Sequence, residues 1–222
     1  MVEKEVIGPG IVVYKNALTK DLCLAERLEA ALEKEGSRFK WSGARVAYHN
    51  TDTNHRNCQD FKYTKQSLGE IDEYSEDLAL IHDQVTDVLL ECLKDYSSKY
   101  SVQIGWVGAL NVVRYGPGEK FNRHADDGEP YRCTVSTVGY INDDYEGGDL
   151  YFDAFDITYT PNAGDFVIFP SSYIYTHASL PIINGIKYAI VTMTDRSSFA
   201  HHNDSPVYHT MEEREKRGLP PR

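Results

Sequence analysis

His124 and Asp126 form an H-x-D pair, and residues two apart on extended backbone point to the same face. One imidazole and one carboxylate can then meet a single metal ion. His177 lies far along the chain, beyond several predicted strands, where a sheet could return it to the pair. Two histidines and one carboxylate make a facial triad that leaves coordination positions open, the ligand set of non-haem Fe(II) oxygenases. An isolated H-x-D is common by chance, and the alternative is a surface pair in the turn at Asp127-Gly128. Two further residues favour the metal. Lys187 follows His177 by ten residues among Ile186, Tyr188, Ala189, Ile190 and Val191, a setting in which a lysine needs a partner. Tyr115 precedes His124 by nine and offers a phenolic donor. An Fe(II) oxygenase needs an electron-donating co-substrate. 2-Oxoglutarate chelates iron through its keto acid and carries a second carboxylate deeper, where burial demands a cation and hydrogen bonds. Lys187 would supply the first and Tyr115 one of the second.

The elements that must position these residues are strands. From Trp106 onward the pattern is period 2, with candidates at 107–115, 133–141, 149–152, 156–159, 165–169, 173–177 and 187–194. Gly116-Pro-Gly118, Asn142-Asp-Asp144, Gly147-Gly148, Pro161-Asn-Ala-Gly164 and Asn184-Gly185 punctuate them as turns. Many short strands at close spacing imply a sandwich or barrel. Before them, Ile11–Tyr14 reads as a strand. Leu24, Ala25, Leu28, Ala31 and Leu32 recur at helical spacing, so a helix is expected over 20–34, capped by Thr19, with Asp21 in its first turn and Gly36 past its end. Ile71, Tyr74, Leu78, Ile81, Val85, Val88 and Cys92 predict a second helix over 67–94, packed along the back of a sheet. The polar stretch 39–64 reads as strand pieces and a long binding loop. The class is α+β.

The bulk numbers agree. A chain of 222 residues fits one domain and buries a sizeable core. No apolar run of about 18 residues predicts a membrane span, and Met1–Glu5, charged in both signs, opens no signal peptide. Cys23, Cys58, Cys92 and Cys133 lack C-x-x-C spacing and read as reduced thiols in a cytoplasmic compartment. A net charge of −11 with no Lys/Arg-rich patch argues against nucleic acid as a partner. His201-His202 reads as a solvated loop, since no third ligand stands near it.

The segment Arg114-Tyr-Gly-Pro-Gly-Glu-Lys-Phe-Asn-Arg-His-Ala-Asp126 resembles the iron-binding signature of the prolyl 4-hydroxylase-like branch of 2-oxoglutarate/Fe(II)-dependent dioxygenases. So do Arg132 to Asn142 followed by Glu146-Gly-Gly148, Pro161-Asn-Ala-Gly164 leading to Phe169, and His177 with Gly185-Ile-Lys187. The resemblance spans about Ile11 to Thr194, closely in the C-terminal half and loosely in the helical half. It implies a double-stranded β-helix (jelly roll) with supporting N-terminal helices. Residues 1–105 would be the helical support, 106–196 the core and 197–222 a C-terminal extension. It further implies Fe(II) on His124, Asp126 and His177, and 2-oxoglutarate held by Lys187 and Tyr115, with ascorbate as a candidate reductant. The reaction would be hydroxylation of a substrate C–H with O2, releasing succinate and CO2. No general base is needed.

Substrate-facing roles follow from the resemblance alone for Arg56 in Asn54-His-Arg-Asn57, for Arg132 and for Met193. The alternative for Arg56 is a solvated loop arginine. The chain departs from the collagen- and plant-type enzymes at two positions. Leu150 stands where they have Thr, which removes one hydroxyl donor to 2-oxoglutarate, and Met193 stands where they have Trp at the mouth. The second departure weakens the case for a proline-rich peptide, so the substrate is a peptide, with a peptidyl proline first, or a small molecule such as a free amino acid. A nucleobase comes after both. A non-catalytic jelly-roll binding module would make no succinate. A cupin-like Zn or Ni enzyme would not need Lys187 and Tyr115.

Overall fold

The structure, a computed structural model, describes residues 2–18, 24–46, 52–128, 132–198 and 201. Thr19, Asp21, Cys23, His202 and the rest of the tail lie outside them. The chain opens with strands β1 (Lys4–Gly8) and β2 (Ile11–Tyr14), then helix α1 (Leu24–Glu33) and three short strands, β3 (Ser42–Gly43), β4 (Arg56–Asn57) and β5 (Gln59–Tyr63). Helix α2 (Glu76–Tyr100) precedes β6 (Trp106–Val107), β7 (Leu110–Tyr115), β8 (Lys120–His124) and β9 (Val135–Tyr140). There follow β10 (Glu146–Gly147), β11 (Leu150–Phe152), β12 (Ile157–Tyr159), β13 (Phe166–Pro170), β14 (His177–Ser179), β15 (Ile182–Asn184) and β16 (Lys187–Asp195).

The strands form a large antiparallel sheet in the order β1-β2-β13-β9-β16-β7-β5-β3, with β6 on β16, and a smaller one in the order β12-β11-β14-β8-β4. Period-2 alternation divides the large sheet between two cores. Val12, Tyr14, Val112, Phe166, Ile168 and Ile190 face the helices and pack with Leu28, Ile81, Val85 and Leu89. Their neighbours Ile11, Val13, Val167, Phe169 and Ala189 face the other way and pack with Leu150, Phe152 and Tyr159 of the small sheet. This is a jelly-roll sandwich with two helices on its outer face, the fold class the sequence implies. β2 is buried on both faces, which is why it reads as a short apolar run without alternation.

Several boundaries differ from the pattern, for local reasons. Helix α2 begins at Glu76 because Asp72 accepts the N–H groups of Tyr74 and Ser75 and closes a turn ahead of it. Residues 173–175 form a 3-10 turn, and the strand begins at His177. The segment before residue 106 is not only helical support, because β1, β2, β3 and β5 extend the large sheet. His201 is not solvated. Its ring stacks on Trp106 at 3.5 Å and its Nε2 lies 3.1 Å from Asp195.

Gly139 on β9 lies opposite Phe166 on β13, and a Cβ there would come within 2.5 Å of the Phe166 ring. Gly139→Ala is therefore expected to destabilise the protein by about 1–3 kcal/mol through overpacking, read as a lower urea midpoint with an unchanged slope.

Candidate metal centre

β8 and β14 pair so that His124 and His177 are direct cross-strand neighbours. Asp126 follows two residues after His124, beyond the end of β8. The three side chains present one ligand atom each, all within 4.8 Å of one another, the one such group among the described residues. His124 Nε2 is 3.4 Å from Asp126 Oδ1, and His177 Nε2 is 3.7 Å from Oδ2. The tautomers follow from the other ring nitrogens. His124 Nδ1 lies 2.9 Å from the Asn122 carbonyl and His177 Nδ1 3.1 Å from the Tyr175 carbonyl. A carbonyl only accepts, so each Nδ1 carries the proton and each Nε2 keeps its lone pair for a metal.

Electrostatics prepares the same set. Burial pushes the His177 pKa down to about 4, with Asp126 opposing, so the imidazole is neutral at neutral pH. Burial raises the Asp126 carboxyl, but His177, His124 and the Ser136 hydroxyl more than offset it, and the group stays ionised well below the usual range. Ser136 is braced in turn by Ser171 at 2.7 Å, and Ser171 by the Cys133 thiol at 3.0 Å. Phe121 stacks on His124 at 3.6 Å. The two rings are three residues apart yet face the same side, because β8 carries an extra residue between the partners of His177 and Ser179.

Behind the triad a pocket runs between the sheets, lined by Tyr115, Tyr140, Leu150, Ser179 and Lys187. Period 2 puts Lys187, Ala189, Val191 and Met193 of β16 on the pocket side, and Asn111 and Tyr115 of β7 with them. Lys187 and Tyr115 are cross-strand partners. Lys187 is 2% exposed, so its ammonium must be satisfied inside the protein. It donates to the Gly148 carbonyl at 2.5 Å and to Ser179 Oγ at 2.9 Å, and it lies 5.3–5.4 Å from the Tyr115 and Tyr140 ring centroids. Gly148 has φ +69°, and a Cβ on it would meet Ile182 at 2.4 Å and Lys187 Cδ at 3.1 Å, so glycine lets the backbone approach the lysine stem. All these partners are neutral, and burial lowers the Lys187 pKa to about 7. Burial holds the Tyr115 phenol far above its ordinary range, so it stays a donor.

The mouth opens into a groove of about 690 Å3 lined by Arg45, His55, Arg56, Lys62, Asn111 and Met193 among others. Arg56 and Met193 line both pocket and groove. Arg132 is exposed and lines neither. Two residues at the pocket escaped the sequence reading. Ser179 could have been found, since it lies two after His177 and so shares its face. Asn111 gave no signal beyond lying four residues before Tyr115 on the same face of β7.

Residues 110–195 match the family model of the 2OG-Fe(II) oxygenase superfamily. The matched segment spans most of the jelly-roll core, from β7 to β16. The donor set suits Fe(II), and the pocket floor carries the Lys187 ammonium beside the Ser179 hydroxyl. No curated protein matches the chain. Among solved structures, a Pseudomonas putida prolyl-4-hydroxylase aligns at a TM-score of 0.63 with 21% identity, covering 84% of this chain and 93% of that one. A Trichoplax adhaerens prolyl hydroxylase, in complex with a hypoxia inducible factor oxygen degradation domain peptide fragment, aligns at 0.62 with 18% identity and 83% of each chain. A viral collagen prolyl hydroxylase from Paramecium Bursaria Chlorella virus-1, in its 2OG complex, aligns at 0.60 with 17% identity, covering 86% of this chain and 98% of that one.

The buried lysine makes a stability prediction. Unfolded, Lys187 stays protonated to about pH 10.4. Between about pH 7 and 10 the unfolded chain therefore binds the extra proton, and the ligand-free protein gains stability as pH rises. Lys187→Met removes that dependence. The variant should be more stable than wild type at pH 6.5 by on the order of a few kcal/mol, with the gap closing toward pH 10, in urea unfolding across that range.

Proposed function

We propose that this chain is a 2-oxoglutarate- and Fe(II)-dependent dioxygenase that hydroxylates a C–H of a peptide, with a peptidyl proline as the leading candidate. His124, Asp126 and His177 would hold the iron, and Lys187 with Tyr115 the distal carboxylate of 2-oxoglutarate. The observation that carries the reading is Lys187, a buried ammonium without an ion pair among the described residues, at the base of a pocket whose mouth is the triad. A buried charge with only neutral partners is expensive in the empty protein and suits an anion that arrives with function.

When bound, iron and 2-oxoglutarate supply the oxidation: the keto acid loses CO2, one atom of O2 enters the succinate and the other enters the substrate C–H. The chain's own part is positional. The His124 and His177 carbonyl bonds fix both imidazoles. Ser136 steadies the Asp126 carboxylate against both of them. Phe121, Phe152 and Phe169 pack against the histidine rings and keep water from that side.

The groove favours a peptide. Arg56 is held in place, its Nη1 donating to the Arg45 carbonyl at 2.8 Å and its guanidinium lying 4.8 Å over the Phe121 ring. Its Nε is buried without a hydrogen-bond partner, and so is Asn111 Oδ1. Both residues line pocket and groove. One unpaired donor and one unpaired acceptor match the carbonyl and N–H of a secondary amide, whereas a free carboxylate would satisfy Arg56 and oppose Asn111. Free buried thiols at Cys58, Cys92 and Cys133 support a reducing, cytoplasmic compartment. No helix among the described residues is long and apolar enough to cross a membrane.

Anaerobic Fe(II) plus 2-oxoglutarate should give a weak visible charge-transfer band, and admitting O2 should give succinate. Asp126→Ala should abolish succinate while the circular dichroism spectrum is kept. Wild-type protein with bound iron that forms neither band nor succinate would refute the reaction class. For the substrate, prolyl peptides should raise succinate formation above the uncoupled level more than free proline does. Arg56→Ala and Asn111→Ala should each raise the peptide KM about tenfold and leave the uncoupled rate unchanged. Stimulation by the free amino acid alone would move the assignment to a small-molecule hydroxylase.

A further inference from the structure

β14 carries two polar residues into the barrel. His177 and Ser179 are two apart on one strand and both line the inner pocket, while Ala178 between them does not. Strand rise puts their Cα atoms about 6.6 Å apart along the barrel. The upper residue is at the proposed metal, and the lower one meets Lys187 Nζ at 2.9 Å.

We propose that Ser179 is a co-substrate-binding residue, forming with Lys187 a two-point clamp for the distal carboxylate that selects a C5 keto diacid over shorter or monoacidic 2-oxo acids. This rests on the assignment of 2-oxoglutarate to the pocket. The hydroxyl has one proton to donate and two lone pairs. Lys187 donates to one lone pair of the oxygen, and the hydroxyl proton is left over. Among the described residues nothing accepts it. A carboxylate arriving beside Nζ would take a charge-assisted bond from Lys187 with one oxygen and the Ser179 proton with the other. Both donors sit at the depth set by the two-residue step from His177, which matches the length of a keto diacid chelated at one end.

The register supplies the other half of the argument. Ser179 is the cross-strand partner of Leu150 on β11, and both line the pocket. Leu150 brings no hydrogen-bonding group to the floor, and Tyr115 lies beside Lys187 on the opposite sheet. On the small sheet, then, Ser179 is the side chain that presents a hydroxyl to the ammonium.

The test compares two acids on the Fe(II)-loaded, oxygen-free protein. 2-Oxoglutarate and 2-oxobutyrate share the chelating end, but only the first has a distal carboxylate. Each is titrated against wild type, Ser179→Ala and Ser179→Thr, with the charge-transfer band and calorimetry as readouts. The Ala variant should bind 2-oxoglutarate about tenfold or more weakly and 2-oxobutyrate as wild type does. The Thr variant, which keeps the hydroxyl, should recover most of the loss. Unchanged 2-oxoglutarate affinity in the Ala variant, or an equal loss for both acids, overturns the proposal and leaves the 2-oxoglutarate assignment intact. A wild type that shows no preference for 2-oxoglutarate over 2-oxobutyrate overturns both.

Discussion

A single buried ammonium constrains most of this molecule. Lys187 begins β16, the strand that pairs with both β7 and β9 in the middle of the large sheet. A charge there is tolerated only because period 2 turns it inward, away from the helix-facing core, to a place where a carbonyl, a hydroxyl and two phenol rings surround it. One residue of register slip would turn Lys187 into the apolar layer of Ile190 and Val112 and would put Tyr188 in the pocket. The charge therefore acts as a register lock as well as the proposed binding group. The positive-φ Gly148 serves the same purpose, letting the backbone carbonyl reach the ammonium where a side chain would block it.

The proposed metal centre depends on a different kind of precision. His177 and His124 belong to neighbouring strands of the small sheet, and their separation is set by strand pairing, not by loop conformation. Each ring is then aimed by a carbonyl two residues earlier, from β8 itself for His124 and from the 3-10 turn that leads into β14 for His177, so the local backbone at each ligand also fixes its tautomer. The extra residue in β8 brings Phe121 round to cover His124. Asp126, just past the strand, takes its position from Ser136 on the opposite sheet, so the third ligand ties the two sheets together. The arrangement is stiff because its parts are ladder contacts and buried hydroxyls.

This explains what the sequence made legible. The two-sided strands β2 and β13 are apolar because both faces are buried, and β9 and β16, largely buried and rich in β-branched residues, were also readable as strands, with β16 carrying Lys187 into view as an anomaly. β8 was not readable as a strand, since Lys120, Asn122 and Arg123 are polar and its bulge breaks the alternation. β1 and β15 sit at edges, where partial exposure removes the apolar signature. The start of α2 was misplaced because Ile71 and Tyr74 continue its spacing while Asp72 closes a turn that precedes the helix. Ser179 was overlooked for a plainer reason. A serine is common, and only the cross-strand register reveals what it faces.

The stretch 39–64 reads in the sequence as strand pieces and a long binding loop, and where it is described its strand pieces tie the two sheets together. β4 joins the small sheet through β8, and β5 joins the large sheet through β7, with only Cys58 between them. The chain thus crosses from one sheet to the other at the barrel mouth, and buried Cys58 is the crossing point. Arg56 is paired opposite Phe121, which stacks on His124, so its distance from the metal centre is set by the same ladder that sets the ligands. Burial works against the Arg56 charge, and Cys58, Tyr115 and Asp60 around it more than offset that, keeping the guanidinium charged at the mouth. On the proposed substrate surface, selection would then follow from fixed donors and acceptors presented by strands. A substrate would be chosen by how its own amide groups fit Arg56 and Asn111, with little help from closure of this loop. That places the energetic cost of a poor substrate in unpaired polar groups, which discriminate more sharply than a missing apolar contact.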